Sequence, residues 1–231
     1  MKTPLVLIPG LLCDAALWAH QSQTLADIAD VQIGDTMSAD SMAGMAEAVL
    51  AAAPERFALA GLSMGGYVSL EVMRQAPGRV TKLALLDTAA VADDADKRKN
   101  RLELIKLAET GKFKGVTPRL LPLFLHPDRL ADERLTGAVM EMAGRVGKDA
   151  FLRQQRAILG RIDSRPHLAA IQVPTLVLCG RQDGLTPLEP HEEIAAAIPN
   201  ARLSVIDDCG HLSTMERPAA ATAMMRDWLI R

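Results

Sequence analysis

A serine flanked by glycines is the residue of this chain best suited to nucleophilic chemistry. Ser63 stands in the segment GLSMG (residues 61–65), which fits the G-x-S-x-G pattern of a nucleophile on a sharp strand-to-helix turn. The apolar run 57–60 predicts a buried strand before it, and apolar residues at helical spacing over 67–75 predict a helix after it. Such a turn exposes the hydroxyl and leaves room only for glycine on either side. The alternative is a glycine-rich turn without chemistry.

One of the five histidines lies where a base for this serine is expected. A serine hydroxyl is a weak nucleophile, and histidine has a pKa suited to taking its proton. His211 follows the last predicted strand, and Gly210 before it allows the loop to bring the imidazole over the end of the sheet. We therefore expect His211 to be the base of Ser63.

The other four histidines are less well placed for this role. His20 and His191 fall in stretches of helical pattern, where exposure to solvent is expected. His167 lies where a helical insertion, described below, rejoins the rest of the fold. His126 lies within that insertion and is a candidate substrate contact, with a capping or surface role as the alternative.

A carboxylate is also needed, because it fixes the tautomer of the histidine and stabilises the imidazolium. Asp183 lies just after an apolar run, at the end of a predicted parallel strand, where open α/β sheets place their sites. Asp87 ends an earlier predicted strand and is the alternative. The aspartates at 207 and 208 stand too close to the histidine along the chain to be favoured.

Two backbone N–H groups are expected to complete the site by binding a tetrahedral oxyanion. Met64 supplies one because it directly follows the serine at the start of a helix. The loop after the first predicted strand, residues 8–12, supplies the other, and Leu11 is the expected donor. Gly10 lets this backbone approach the substrate. The alternative for this loop is an ordinary turn between a strand and a helix.

Short apolar runs alternate with helical periodicity on both sides of these residues. The predicted strands are 5–8, 31–34, 57–60, 82–86, 175–179 and 203–206. The predicted helices between and after them are 16–28, 41–53, 65–76, 190–198 and 218–230. Strands that are apolar on both faces and separated by helices predict a mostly parallel sheet flanked by helices, which is an α/β fold.

The alternation stops in an insertion, residues 90–166, that contains no predicted strand. Helical patterns cover 98–109, 130–146 and 149–160, and the charged run 93–99 predicts a solvated hinge or helix start. We interpret the insertion as a helical cap after the fourth strand. Residues 1–89 and 167–231 then form the core.

Composition narrows the possible partners. The 231 residues are 49% apolar with a net charge of −2, so no basic face for nucleic acid is implied. The first apolar run, broken by proline and glycine at 9 and 10, is too short for a signal peptide or membrane span. The three cysteines have no metal or redox spacing, which favours buried thiols and a cytoplasmic location. We expect no cofactor and no metal.

Together these motifs resemble the α/β-hydrolase superfamily over essentially the whole chain. The matching segments are LIPGLL with Trp18, GLSMGG, ALLD, VPTLVLCGRQD and the Gly-His pair at 210–211. The order Ser63, Asp183, His211 is the chain order of that family. Within it, the chain is similar to small bacterial carboxylesterases and lactonases, including the 3-oxoadipate enol-lactonases. The resemblance implies an ester-cleaving serine hydrolase with an inserted cap.

Two features depart from the family pattern. The oxyanion loop usually opens with His-Gly, whereas this chain has Pro-Gly at 9–10, so any contact of that histidine is lost while the backbone donor is kept. The family usually has two more strands before this loop, so we expect a shortened sheet of about six strands. The exposed sheet edge would favour dimerisation, so monomer and homodimer both stay open.

The residue types also bear on the substrate. Relatives that are haloalkane dehalogenases or epoxide hydrolases carry aspartate at the position of Ser63, and dienelactone hydrolases carry cysteine. Serine therefore implies an ester, lactone, thioester or activated carbon–carbon bond, or peracid formation. Arg153, Arg156 and Arg161 could bind a substrate carboxylate, with a solvated cationic face as the alternative.

We therefore expect a cofactor-free hydrolase of a small-molecule ester or lactone. A carbon–carbon bond hydrolase or lyase that uses the same three residues is an alternative. A small-molecule receptor with little turnover is another.

Overall fold

The computed structural model describes residues 2–111 and 113–231, and its centre is a six-stranded parallel sheet. The strands are β1 (Thr3–Ile8), β2 (Ala29–Ile33), β3 (Phe57–Leu62), β4 (Val80–Leu86), β5 (Thr175–Gly180) and β6 (Ala201–Ile206). Their order across the sheet is β2-β1-β3-β4-β5-β6, and every neighbouring pair is parallel. The predicted fold class and the six predicted strands are confirmed.

Eight α-helices connect the strands or follow them among the described residues. They are α1 (Ala19–Thr24), α2 (Met42–Ala52), α3 (Met64–Gln75), α4 (Ala95–Thr110), α5 (Glu133–Leu159), α6 (Leu188–Ala197), α7 (Ser213–Glu216) and α8 (Pro218–Ile230). The predicted helix 16–28 is shorter in the structure, where a 3₁₀ turn (Ala15–Trp18) leads into α1. The chain leaves α1 early because Thr3 N–H bonds to Ile28 O, and β2 starts at the next residue.

The sheet has an apolar core on each face, as expected for parallel strands covered on both sides. One core contains Leu5 and Leu7 of β1, and the other contains Val6 and Ile8 of the same strand. Successive side chains of a strand point to opposite faces, so one apolar run serves both cores. All six residues of β3 are buried, and Ser63 follows directly at the carboxyl end of this strand.

The insertion between β4 and β5 is helical and packs on the sheet. Val139 and Met142 of α5 belong to the same core as Leu5 and Leu7. The helices predicted at 130–146 and 149–160 are the two halves of α5, and Gly147 between them has a non-helical backbone with φ 75° and ψ 179°. A positive φ suits glycine, and the helix bends there.

The charged run at the start of α4 is only partly solvated. Asp94 caps the helix by accepting from Lys97 N–H at 2.8 Å, as a helix start requires. Asp93 differs from the expectation, because its side chain is buried and pairs with Arg101 and Arg161. A buried carboxylate needs such partners, which only the folded chain supplies.

Within residues 2–111 and 113–231, none of the helices combines the length and apolarity needed to cross a membrane. The same part of the chain contains no cluster of three or more potential ligand side chains (His, Cys, Asp or Glu) that could hold a metal ion.

Candidate active site

Ser63 lies on the turn between β3 and α3 with a strained backbone. Its φ is 57° and its ψ is −116°, a region that non-glycine residues seldom occupy. Its N–H donates to Leu86 O at 2.9 Å, which ties the turn to the end of β4. A Cβ on Gly61 or Gly65 would lie 2.1 Å from a backbone oxygen. The two glycines are therefore required by close backbone packing around the serine.

The structure brings Ser63, His211 and Asp183 into one hydrogen-bonded chain. His211 Nε2 lies 2.9 Å from Ser63 Oγ, and His211 Nδ1 lies 2.8 Å from Asp183 Oδ2. The three residues follow β3, β6 and β5, so the carboxyl ends of three parallel strands converge. In this geometry the carboxylate accepts Nδ1–H, and Nε2 is free to accept the proton of the serine.

Hydrogen bonds from its own loop keep the Asp183 side chain ionised. Oδ1 accepts the N–H groups of Leu185 and Thr186 at 2.8 and 2.9 Å, and Oδ2 accepts the Thr186 hydroxyl at 2.7 Å. Burial opposes ionisation, but the charge of His211 and these hydrogen bonds outweigh it, so the pKa of Asp183 lies below its ordinary value. The group is therefore negative at neutral pH.

His211 is buried and its pKa is shifted in the opposite direction. Burial alone would lower the pKa of the imidazole, but the carboxylate of Asp183 raises it above the ordinary value. The backbone N–H of His211 donates to Phe124 O at 2.9 Å, so the insertion directly contacts the loop that carries it. The imidazole is thus both oriented and made more basic, as a proton acceptor requires.

Asp87, the alternative carboxylate, does not bond to the histidine in the structure. It is fully buried, and it accepts hydrogen bonds from the Gly180 N–H at 3.0 Å and from the N–H and hydroxyl of Ser213. Burial raises the pKa of Asp87 well above its ordinary range, and the charge of Asp183 adds to the rise. Of the two aspartates, Asp183 is the one that hydrogen-bonds to His211.

The backbone around Ser63 offers two N–H groups of the expected kind. Met64 is the first residue of α3, and a Cβ on Gly10 would lie 3.3 Å from Ser63 Cβ, so the loop after β1 passes beside the serine. Among the described residues, neither Leu11 N–H nor Met64 N–H donates to a protein acceptor. Leu12 N–H instead donates to Gln154 Oε1 of α5 at 3.1 Å, which holds the loop.

The four other histidines lie apart from this chain of bonds. His126 Nδ1 accepts from its own turn, the Asp128 N–H, at 3.3 Å. His20 bonds to a threonine hydroxyl on α8, and His167 is exposed. The expectation that His191 is solvated is wrong, because its side chain is fully buried and accepts Thr88 N–H at 2.8 Å. Burial lowers the pKa of His191, so it is neutral.

The three candidate arginines are engaged elsewhere. Arg153 donates to the carbonyl oxygen of Met37 at 2.6 Å, and Arg156, half exposed, pairs with Glu109 at 3.1 Å. Arg161 is buried rather than part of a solvated face, and its guanidinium lies over the ring of Tyr67, 4.2 Å from the ring centre. None of the three bonds to Ser63, Asp183 or His211.

Several residues of the site gave little or no signal in the sequence. Thr186 stands three residues after Asp183, and this Asp-x-x-Thr spacing was a detectable sign of a carboxylate-centred turn. Gln154 and Glu216 gave none, since Gln154 bonds to Leu12 and Glu216 to His126, both distant in sequence. Glu216 is buried and accepts the N–H of His126 at 2.7 Å, which joins the insertion to α7.

The three cysteines are buried, as expected, and do not compete as nucleophiles. Burial raises the pKa of both Cys13 and Cys179 to about 12 and raises that of Cys209 as well. Protonated thiols are poor nucleophiles at neutral pH.

Comparison with known proteins identifies the class that this fold and this site define. The family model described as alpha/beta hydrolase fold matches residues 21–218, so the chain belongs to the α/β-hydrolase family. A protein named as a carbamate hydrolase, RutD, from Azorhizobium caulinodans is 29% identical over 96% of this chain and 89% of its own length. The resemblance inferred from the motifs is therefore confirmed.

Solved structures agree with the family match. A thermophilic esterase from Thermogutta terrifontis superposes with a TM-score of 0.89 at 28% identity, over 99% of this chain and 90% of that one. The enol-lactonase from Burkholderia xenovorans LB400 has the same fold, with a TM-score of 0.89 at 24% identity over 100% and 92% of the two chains. The family match and the esterase relative confirm the expected enzyme class, an ester-acting hydrolase of this fold.

Proposed function

We propose that the protein is a serine hydrolase that cleaves a small carboxylic ester or lactone through an acyl-enzyme. The observation that carries this proposal is the continuous chain Asp183–His211–Ser63, with contacts of 2.8 and 2.9 Å, on the strained turn before α3. A serine on such a turn, with a base that is itself oriented by a carboxylate, is the arrangement that acyl transfer needs.

In the first half of the reaction, Ser63 Oγ attacks the carbonyl carbon of the substrate while its proton passes to His211 Nε2. The negative charge that develops on the carbonyl oxygen is bound by the N–H groups of Leu11 and Met64. Asp183 stabilises the imidazolium that forms. Collapse of the tetrahedral intermediate breaks the ester C–O bond, and the proton on His211 goes to the departing alkoxide oxygen.

The second half repeats the same steps with water as the nucleophile. His211 takes a proton from water as the hydroxide oxygen bonds to the acyl carbon, and the same two N–H groups bind the oxyanion. The Ser63 Oγ–acyl bond then breaks, and His211 returns the proton to Ser63. The acid leaves and the enzyme is restored.

Substrates with an uncharged acyl part fit the surroundings of the site. The ring of Phe124 lies 6.5 Å from that of His211, and both Phe124 and Leu11 pack against the apolar core. The candidate cations Arg153 and Arg156 bond to Met37 O and Glu109, which argues against their pairing with a substrate carboxylate. As the substrate, the esterase relative supports an open ester, the enol-lactonase supports a lactone and the carbamate hydrolase supports a carbamate.

The deciding experiment is hydrolysis of p-nitrophenyl esters from acetate to decanoate, beside panels of lactones and aryl carbamates, with wild type and Ser63→Ala. We expect multiple turnover of short neutral esters or lactones that is lost in Ser63→Ala. Turnover that persists in Ser63→Ala would reject the proposal. A single slow burst without turnover would instead favour a receptor.

The three free thiols support a reducing, cytoplasmic location for this activity.

A further inference from the structure

Two buried residues directly after β4 contact all three loops that carry the candidate catalytic groups. Asp87 and Thr88 are both fully buried, and Asp87 has a φ of 45°. Neither bonds to Ser63 Oγ or to the His211 imidazole. Their hydrogen bonds go instead to the backbone and to supporting side chains of these loops.

Thr88 ties the serine turn to the loop of Asp183. Its hydroxyl donates to Ser63 O at 2.8 Å, and its N–H donates to His191 Nε2 at 2.8 Å. His191 Nδ1 in turn lies 2.9 Å from Pro187 O, at the end of the loop that carries Asp183. Neutral His191 can make both bonds, because one ring nitrogen accepts while the other donates.

Asp87 ties the loop of Asp183 to the loop of His211. One carboxyl oxygen accepts the N–H of Gly180, the last residue of β5, at 3.0 Å. The other accepts the N–H of Ser213 at 3.3 Å and contacts its hydroxyl. Ser213 stands two residues after His211, so this carboxyl group bridges the two loops.

Packing holds the pair in place. A Cβ on Gly66, in the first turn of α3, would lie 2.4 Å from Thr88 Oγ1 and 2.7 Å from Thr88 Cβ. The threonine is therefore pressed against the backbone that follows Ser63. This contact leaves its side chain little freedom to rotate, so the direction of the hydroxyl bond to Ser63 O is fixed.

We propose that Asp87 and Thr88 are positioning residues, which set the distances between Ser63, Asp183 and His211 by linking their three loops. The inference rests on the proposed function and deepens it. Loops on separate strands are free to shift against one another unless a shared group joins them. A displacement of about 1 Å in such a site can cost about 100-fold in rate.

The first test is Thr88→Val, which keeps the shape of the side chain and removes the hydroxyl, with Thr88→Ser as the conservative rescue. Thr175→Val is the matched control, because Thr175 is also buried and donates its hydroxyl to a carbonyl, Val173 O, at the opposite end of the sheet. We expect Thr88→Val to lower kcat by about 10- to 100-fold with little change in KM. Thr88→Ser should stay within about threefold of wild type, as should the control.

A second readout separates positioning from a loss of fold. The His211 Nδ1–H bonded to Asp183 is expected to give a far-downfield proton resonance, which we would follow at temperatures where all variants are folded. Thr88→Val should shift or broaden this signal, and Thr175→Val should not. Asp87→Asn is the second variant should Thr88→Val fail to fold, because its amide NH₂ cannot accept the Ser213 N–H.

Unchanged kcat and an unchanged His211 signal in Thr88→Val and Asp87→Asn would overturn the inference while leaving the proposed function intact. A rise in KM with kcat unchanged would also overturn it, because it would indicate substrate contact. Absence of turnover in wild type would reject the proposed function alone. In that case the His211 proton signal still tests the inference, and an unshifted resonance in both variants would reject it.

Discussion

Replacing Asp183 with asparagine tests the proposed chemistry most directly, because the structure dictates how the amide would lie. Asp183 Oδ1 accepts two backbone N–H groups at 2.8 and 2.9 Å, and an NH₂ group cannot take that place. The amide oxygen must therefore occupy the Oδ1 position and the NH₂ must face His211 Nδ1. Thr186 Oγ can adapt, since a hydroxyl accepts as well as donates.

The consequence is a change of tautomer rather than a change of shape. An NH₂ donor opposite Nδ1 forces Nδ1 to accept, so the ring proton moves to Nε2, which then faces Ser63 and cannot take its proton. A tautomer reversal of this kind costs about 10⁴-fold in kcat, equivalent to about 5.5 kcal/mol of transition-state stabilisation. The fold should be preserved, since both backbone N–H groups keep their acceptor.

The assay is steady-state hydrolysis of the best p-nitrophenyl ester as a function of pH, with Asp207→Asn as a control. Asp207 is exposed and pairs with Arg181 outside the site, so this variant should behave as wild type. In wild type, kcat/KM should rise with pH as His211 loses its proton, with a midpoint above the ordinary histidine pKa because Asp183 raises it. Activity of Asp183→Asn within about tenfold of wild type would refute the tautomer argument.

Three further outcomes follow from packing and burial. Gly65→Ala should destabilise the fold by about 3 kcal/mol or more in urea unfolding, because its Cβ would lie 2.1 Å from a carbonyl oxygen of β1. Gly78→Ala, with no atom near its Cβ, should be close to neutral, and equal effects of the two would contradict the packing argument. Glu216→Gln should cost about 1–3 kcal/mol, since its carboxylate accepts the N–H groups of His126 and Leu212 and an amide can satisfy only one; an unchanged urea midpoint would count against this. The three thiols should resist a thiol reagent in the native state and react fully once unfolded, and rapid labelling of the folded protein would be inconsistent with their burial.

The strands were the most predictable part of the fold. A parallel strand buried on both faces is a continuous apolar run, and Phe57–Leu62 reads as one without any knowledge of its neighbours. Helix ends were less predictable, since α1 stops where β2 must begin to pair with β1. The pairing partner of a strand is a property of the whole sheet and is absent from the local pattern.

Local chemistry in the sequence was sufficient to nominate Ser63 and His211. The serine stands between two glycines in a five-residue motif, and the histidine follows the last strand after a glycine. Both signals are local, so they survive in a single sequence.

Only the tertiary structure decided between Asp183 and Asp87. Each aspartate follows a parallel strand, and the sequence favoured Asp183 but left Asp87 open as the alternative. In the folded chain, the Asp183 carboxylate accepts N–H groups of its own loop and bonds to His211. The Asp87 carboxyl group bonds instead to Gly180 and Ser213. The same holds for the burial of His191, because the N–H group that its Nε2 accepts belongs to Thr88, 103 residues earlier in the chain. Residue type and order determine which groups can react, but the direction of a side chain depends on contacts between segments that are distant in sequence.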